Sequence, residues 1–153
     1  MYKAFLISVG RLKTPFWRGA AEFYRQRLRG WRWEEFTVRD AEPALPPEER
    51  KKQEGERILA ALPRGYARVC LDGRGLPLDS PAFAAFLEAL RIGASPPCFI
   101  LGGAYGLSAR VLEAADRIIS LSPLTFTHEL AQVILWEQLF RADSILRGSP
   151  YHH

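Results

Sequence analysis

The fold is decided by residues 98–108, which read CFILGGAYGLS. The apolar run at its start predicts a buried strand over residues 98–101, and the three glycines that follow predict a loop at the end of that strand. Ser108 is a good helix N-cap, so a short helix is predicted to run to about residue 115. Strand, glycine-rich loop and helix in this order form the repeating unit of a parallel α/β sheet.

The same alternation extends outward over the whole chain. Periodicity predicts strands over 2–9, 33–38, 67–71 and 118–121, and helices over 15–29, 47–62, 80–90 and 128–146. Prolines predict a surface loop over 40–47, glycines predict a turn over 72–75, and Ser80 is the predicted N-cap of its helix. We therefore predict one α/β domain over residues 1–153, with a mostly parallel sheet and helices on both faces.

Composition excludes several classes of protein. The 153 residues are 48% hydrophobic and 25% charged, the balance of a soluble globular chain. No apolar run approaches the ~20 residues that span a bilayer, and the first residues do not resemble a signal peptide, so we expect a cytoplasmic protein without membrane contact. Cys70 and Cys98 lie in separate apolar runs without metal-ligand spacing, which predicts two buried free thiols and no metal site.

Three loops that follow predicted strands are expected to open at one edge of the sheet: residues 71–75, 101–107 and 121–126. Glycines let a ligand approach the backbone, although each loop alone could be a tight turn without a ligand. Neither a Rossmann nor a P-loop pattern is present. Ser122, His128 and Glu129 could form a catalytic triad. The favoured interpretation is that His128 and Glu129 are side chains of the first helical turn without a catalytic role.

Basic residues are concentrated at the front of the chain. Residues 1–76 hold 16 basic and 10 acidic side chains, whereas residues 77–153 hold 5 and 7. Positions 11–32 contain seven basic residues and only one acidic residue, Glu22. Arg18, Arg25 and Arg29 share one helical face, flanked by Arg11 and Lys13. This pattern favours a phosphate-binding surface, with a solvated polar face as the alternative.

The predicted helix over 128–146 carries apolar residues all round its axis, so it should be buried on several sides. One of these sides could face a second copy of the chain, and we expect a homodimer rather than a central helix within a monomer. The tail that follows is either a frayed end or a functional segment, because Tyr151 can stack on a base and His152 can hydrogen-bond to one.

These residues together resemble a known family, ribosomal RNA large subunit methyltransferase H, which comprises small pseudouridine N3-methyltransferases of the SPOUT class. The resemblance runs from end to end. It is carried by the segments 8–13, 54–59, 71–72, 100–103, 106–107, 120–122, 124–126, 137–138, 141–142 and 150–152, together with His128. Thr127 stands where the family is expected to have proline. Ala104 and Tyr105, within the glycine loop, also vary from the family pattern.

The resemblance implies a trefoil knot in roughly residues 98–147, an exception to the rule that chains are unknotted. It also implies a homodimer that binds S-adenosyl-L-methionine and methylates N3 of a pseudouridine in large-subunit ribosomal RNA on the assembled ribosome. Gly102 would leave room for the ribose or methionine part of the cofactor. The implied cofactor-binding residues are Leu71, Gly102, Leu121, Ser122, Pro123, Leu124, Thr125 and Phe126.

Substrate contacts are also expected. Arg141, Tyr151 and His152 would position the target nucleotide, although Arg141 could instead pair with Glu137 four residues earlier. The alternative functions are SPOUT methylation of another RNA such as transfer RNA, a non-catalytic ribosome- or RNA-binding module, and a doubly wound nucleotide-binding protein. The expected RNA-binding residues are Arg11, Lys13, Arg18, Arg25 and Arg29.

Overall fold

The computed structural model describes residues 2–153. Its strands are β1 (Tyr2–Val9), β2 (Trp31–Val38), β3 (Ala67–Pro77), β4 (Pro97–Leu101) and β5 (Arg117–Ser120). Its helices are α1 (Pro15–Arg25), α2 (Pro47–Ala61), α3 (Ser80–Ile92), α4 (Ala109–Glu113) and α5 (His128–Leu146). The five strands form one sheet in the order β2-β1-β4-β3-β5, and every pairing is parallel.

Alternate side chains of the central strands feed two cores. In β4, Phe99 and Leu101 face a core shared with α1, α3 and α5, whereas Cys98 and Ile100 face a core shared with α2 and α4. A parallel sheet buried on both faces reads as a continuous apolar run, which is why every residue of β4 is buried. The predicted α/β architecture with helices on both faces is confirmed.

The two thiols lie in the second of these cores, and both are free and buried, as predicted. Burial raises the pKa of Cys70 to about 12 and the pKa of Cys98 to about 12, because the thiolate would lose its hydration. None of the helices formed within residues 2–153 combines the length and apolarity needed to cross a bilayer.

Helix α5 is enclosed by its own chain on several sides. It packs against α1 and α3, and Leu135, Trp136 and Leu139 are almost completely inaccessible. Its buried carboxylate, Asp143, accepts a 2.9 Å hydrogen bond from Trp31 Nε1 and pairs with Arg147. The prediction that this helix is buried on several sides is confirmed, and Thr127 caps it by accepting a hydrogen bond from the Leu130 N–H.

The predicted helix over 15–29 is too long, because α1 ends at Arg25. The chain then turns, with the Leu28 N–H donating to the Arg25 carbonyl, and places Leu28 in the core at 3% exposure. Strand β2 starts two residues earlier than predicted because Trp31 pairs with Tyr2 across the sheet.

Two further expectations about β3 and α3 are wrong. The predicted turn over 72–75 is a bulge within β3, since Leu71 and Leu76 both pair with Ile119 of β5. The N-cap of α3 is Asp79 rather than Ser80: its carboxylate accepts from the Ala82 N–H at 2.8 Å. The Ser80 hydroxyl donates instead to Gln138 Oε1 of α5 at 2.6 Å.

Candidate functional site

The three predicted loops meet at the carboxyl edge of the sheet and enclose a cavity of about 330 Å³. We call it the loop cavity. Residues 71–73, 101–106 and 121–126 line it, together with His128 and Ala131 at the start of α5. Its volume falls within the range of ~300–1,000 Å³ that is usual for small-molecule sites. All eight residues expected to bind a cofactor therefore lie in one place.

The glycine loop after β4 folds back on itself. The Gly106 N–H donates to the Gly103 carbonyl at 3.0 Å, and Gly106 has a φ of 84°. A Cβ added at Gly102 would lie 2.5 Å from the Gly106 carbonyl carbon. The expectation that Gly102 leaves room for a ligand is thus incomplete, because glycine is needed first for the loop to close.

A buried carboxylate supports this loop from beneath. Glu54 of α2 is 5% exposed, and a Cβ added at Gly103 would lie 2.7 Å from its Oε2. The carboxylate accepts a hydrogen bond from the Ala41 N–H at 3.3 Å. Burial raises the pKa of Glu54 above its usual range, because its ionised form is poorly hydrated there. Residues 54–56 were part of the resemblance, but the sequence did not place Glu54 at the cavity.

The loop after β5 is held by its own hydrogen bonds. Ser122 Oγ accepts from the Leu124 N–H, and the Ser122 carbonyl accepts from Ser120 Oγ, both at 3.0 Å. Glu129 lies elsewhere, since its carboxylate accepts from the N–H groups of Lys13 and Thr14 at 3.2 and 3.3 Å. Glu129 therefore pins the β1–α1 loop, and the structure does not assemble a triad from Ser122, His128 and Glu129.

The charge of the lining restricts its ligands. Within residues 2–153 the lining contains Asp72 but no arginine or lysine. Hydrogen bonds from Arg74 lower the pKa of Asp72, so its carboxylate stays ionised at neutral pH. Sites for nucleotide phosphates use basic side chains or a helix N-terminus, whereas a lining with one carboxylate suits a cationic ligand. Asp72, Gly103, Tyr105 and His128 also line the cavity but were not among the eight expected cofactor-binding residues.

The three residues expected to position a substrate do gather, but at the far end of α5. Arg141 Nε donates to Glu137 Oε1 at 3.0 Å, and its guanidinium lies 4.7 Å from the centre of the Tyr151 ring. The Tyr151 hydroxyl donates to Glu137 at 3.1 Å, and His152 Nδ1 lies 3.4 Å from Arg141. We call Glu137, Arg141, Tyr151 and His152 the tail cluster.

Burial raises the pKa of the Tyr151 hydroxyl, and hydrogen bonding adds to this effect. The helix ion pair of Arg141 with Glu137, the alternative interpretation of Arg141, is present. The ten residues from Ala131 to Arg141 correspond to about 15 Å of helix, so within one chain the tail cluster is remote from the loop cavity.

The five residues expected to bind RNA are all exposed. They are not equivalent, however. Arg25 donates to Glu22 at 2.8 Å and to Glu35 at 3.1 Å, so its charge is already balanced. Glu35 belongs to β2 and meets Arg25 only through the fold. No group of three His, Cys, Asp or Glu side chains suited to a metal occurs among the described residues.

Comparison with known proteins adds independent information. The family model described as "Predicted SPOUT methyltransferase" matches residues 2–152. The chain is similar to "Ribosomal RNA large subunit methyltransferase H" of Nitratidesulfovibrio vulgaris (strain DSM 19637 / Miyazaki F), with 53% identity over 97% of each chain. The protein of the same name from Oleidesulfovibrio alaskensis is 52% identical, again over 97% of each chain.

A solved structure agrees in fold. The crystal structure of a probable methyltransferase from Bordetella pertussis Tohama I has a TM-score of 0.56 and covers 92% of this chain and 93% of its own. Its sequence identity is 17%, so this likeness concerns the fold alone.

Proposed function

This chain belongs to the SPOUT methyltransferase family, and on that premise we propose that it methylates N3 of a pseudouridine in large-subunit ribosomal RNA. The methyl donor is S-adenosyl-L-methionine, bound in the loop cavity, and the substrate is the assembled ribosome. The names of its relatives support the RNA substrate, and the resemblance described above supplies the nucleotide and its nitrogen.

The observation that carries the proposal is the lining of the loop cavity. It offers backbone groups of three loops, apolar side chains and one ionised carboxylate, Asp72, without a basic side chain among the described residues. S-adenosyl-L-methionine has an adenine ring, a positively charged sulfonium and no phosphate, so the residues present fit it. ATP and nicotinamide dinucleotides, with their phosphates, fit less well.

The chain would position the reactants rather than activate them. When bound, S-adenosyl-L-methionine supplies a methyl group on a sulfonium that is reactive by itself. Leu71, Leu121 and Phe126 would enclose the adenine ring, while loop N–H and C=O groups bind its polar edge. Asp72 would attract the positive charge. The target imide must lose its proton, for which we propose His152 or water.

A homodimer would bring the tail cluster of one copy next to the loop cavity of the other. The tail cluster lies about 15 Å along the helix from the cavity of its own chain, so Arg141 and Tyr151 would act at the cavity of a second copy. Apolar side chains favour such an interface: Phe16 and Phe23 of α1 are 68% and 50% exposed, and Leu124 at the cavity rim is 72% exposed.

The single domain and its knot are also part of the proposal. The connection from β4 to β5 passes across β3, and α5 then returns to the face of α1 and α3. The trefoil knot within residues 98–147 is proposed from the resemblance, and this strand order is compatible with it. The exposed basic residues Arg11, Lys13, Arg18 and Arg29 support a contact with the phosphates of RNA.

Transfer of labelled methyl groups tests the function. The acceptors are ribosomes, large subunits, free large-subunit RNA and transfer RNA, all lacking the modification. We expect label on ribosomes alone. Label on transfer RNA would be consistent with the proposed methyl donor but would contradict the ribosomal substrate. Absence of label on every RNA, together with tight donor binding, would favour a non-catalytic binding module.

A further inference from the structure

A second cavity of about 380 Å³ opens at the same edge of the sheet, at the ends of β1 and β2. We call it the arginine cleft. Ser8 and Thr37 lie at the strand ends, Arg11 and Arg18 at its basic side, and Gln132 of α5 on its inner wall. No residue is shared with the lining of the loop cavity.

Topology explains why two cavities lie side by side. Strands β1 and β4 are neighbours, but α1 follows β1 onto one face of the sheet and α4 follows β4 onto the other. A crevice forms where the connections of adjacent parallel strands diverge, and ligands of α/β proteins bind there. The loop cavity and the arginine cleft lie on the two sides of this switch point.

The two cavities share the first turns of α5 as a wall. His128 and Ala131 line the loop cavity, and Gln132, the next residue, lines the arginine cleft. His128 and Gln132 are separated by about 6 Å along the helix axis. A group held in the cleft therefore lies beside a ligand of the loop cavity.

The cleft carries free positive charge. Arg25 pairs with both acidic neighbours, Glu22 and Glu35; these three groups carry one net negative charge, which the other two arginines of the lining outweigh. Arg11 and Arg18 form no ion pair or side-chain hydrogen bond with the described residues. A guanidinium has the geometry to bind phosphate oxygens through two hydrogen bonds, and two free ones define an anion site.

The inner wall carries an unused hydrogen-bonding group. Gln132 is 8% exposed, yet its amide has no hydrogen-bond partner among the described residues, and its polar atoms are not sealed within the core. An amide that bonds to no described residue and whose polar atoms open onto a cleft is available to a ligand there. An amide offers a donor and an acceptor, as the edge of a uracil-type base requires.

From these observations we infer that the arginine cleft holds the methyl-acceptor nucleotide. Arg11 and Arg18 bind the phosphodiester beside the target, and Gln132 hydrogen-bonds to a carbonyl of its base. Gln132 is a positioning residue and takes no proton. The inference rests on the proposed function and adds to it where the acceptor lies relative to the loop cavity.

Kinetics on unmodified ribosomes test the cleft. Arg18→Glu should raise KM for ribosomes about 10-fold or more, and Gln132→Met about 5-fold, since each loses a hydrogen bond to the acceptor. The Kd for S-adenosyl-L-methionine and the unfolding midpoint should stay as in the wild type. Arg64→Glu is the matched control, because Arg64 is exposed at the opposite edge of the sheet. If KM for ribosomes of Arg18→Glu and Gln132→Met lies within two-fold of the value for Arg64→Glu, the inference is overturned.

A second titration separates this inference from the proposed function. Uridine 3′,5′-bisphosphate is added to the full chain, and binding is followed by amide chemical shifts. Binding near Gln132 that weakens about 10-fold in Arg18→Glu supports the cleft, even if the wild type methylates no RNA. Absence of binding, or equal binding by both proteins, overturns it.

Discussion

The loop cavity and the arginine cleft lie at one edge of the same sheet but differ in the groups that they offer to a ligand. The loop cavity is lined by backbone groups and mostly apolar side chains, and its shape depends on glycines that allow the loops to close. The arginine cleft is lined by long side chains from α1, α5 and two strand ends. The shape of the first is set by contacts between backbone atoms, whereas that of the second is set by side chains, which change rotamer more readily.

This difference predicts different responses to substitution and to solution conditions. A rigid loop tolerates no added atom where backbone meets backbone, but it is indifferent to salt. A site made of charged side chains tolerates changes of shape but weakens as salt rises. Substitutions in one region should therefore leave the other region unchanged, as a reference.

The largest effect is expected for Gly102→Val. Its Cβ would overlap the Gly106 carbonyl, so the glycine loop cannot close, and affinity for S-adenosyl-L-methionine should fall about 100-fold in calorimetry. Binding of uridine 3′,5′-bisphosphate in the arginine cleft should persist. Unchanged affinity for S-adenosyl-L-methionine would show that the loop conformation is not required.

The second-largest effect is expected on the salt dependence of ribosome binding. Arg18→Gln should reduce the slope of log affinity against log salt by about 1, since one phosphate contact is lost. The combined change Arg25→Gln and Glu22→Gln keeps the net charge and removes an existing ion pair, so the slope should stay as in the wild type. Equal slopes for all three proteins would contradict the division between free and paired arginines.

A pH-dependent effect on the free energy of unfolding is expected for Glu54, which lies beneath the glycine loop. Burial raises the pKa of Glu54, so the folded state disfavours its ionised form at neutral pH. Glu54→Gln should therefore increase the free energy of unfolding at pH 7. The gain should vanish as pH falls through the usual range of glutamate, near ~4.3, because both states are then protonated. A gain that is independent of pH would contradict this cause.

The smallest effect is expected for Gly19→Ala on α1. A Cβ there meets no atom within 4 Å, and the change should stabilise the helix by about 0.5–1 kcal/mol in denaturant unfolding. Affinity for S-adenosyl-L-methionine should be unchanged, which makes this variant the glycine control for Gly102→Val. Loss of stability would indicate that Gly19 has a packing role.

Local signals were sufficient where neighbours in sequence decide the structure. The run into Gly102 and the cap at Ser108 correctly indicated β4, its loop and α4, and with them the position of the loop cavity. The bounds of α5 were also correct, because its apolar residues mark its extent.

Contacts between distant residues could not be predicted in the same way. Arg25 at the end of α1 pairs with Glu35 of β2, and Glu54 reaches Gly103 across nearly fifty residues. The bulge in β3 depends on Ile119 of β5 pairing twice. The arginine cleft shows the same limit, because Arg18 and Gln132 lie on different helices and no sequence motif unites them.

The most direct test of the account is mass spectrometry of ribosomal RNA after unmodified ribosomes are incubated with the protein and S-adenosyl-L-methionine. Digestion to nucleosides identifies the atom that receives the methyl group. The account predicts one new product in large-subunit RNA, a pseudouridine methylated at N3. A methyl group on a ribose oxygen or on another base, or none in ribosomal RNA, would contradict it.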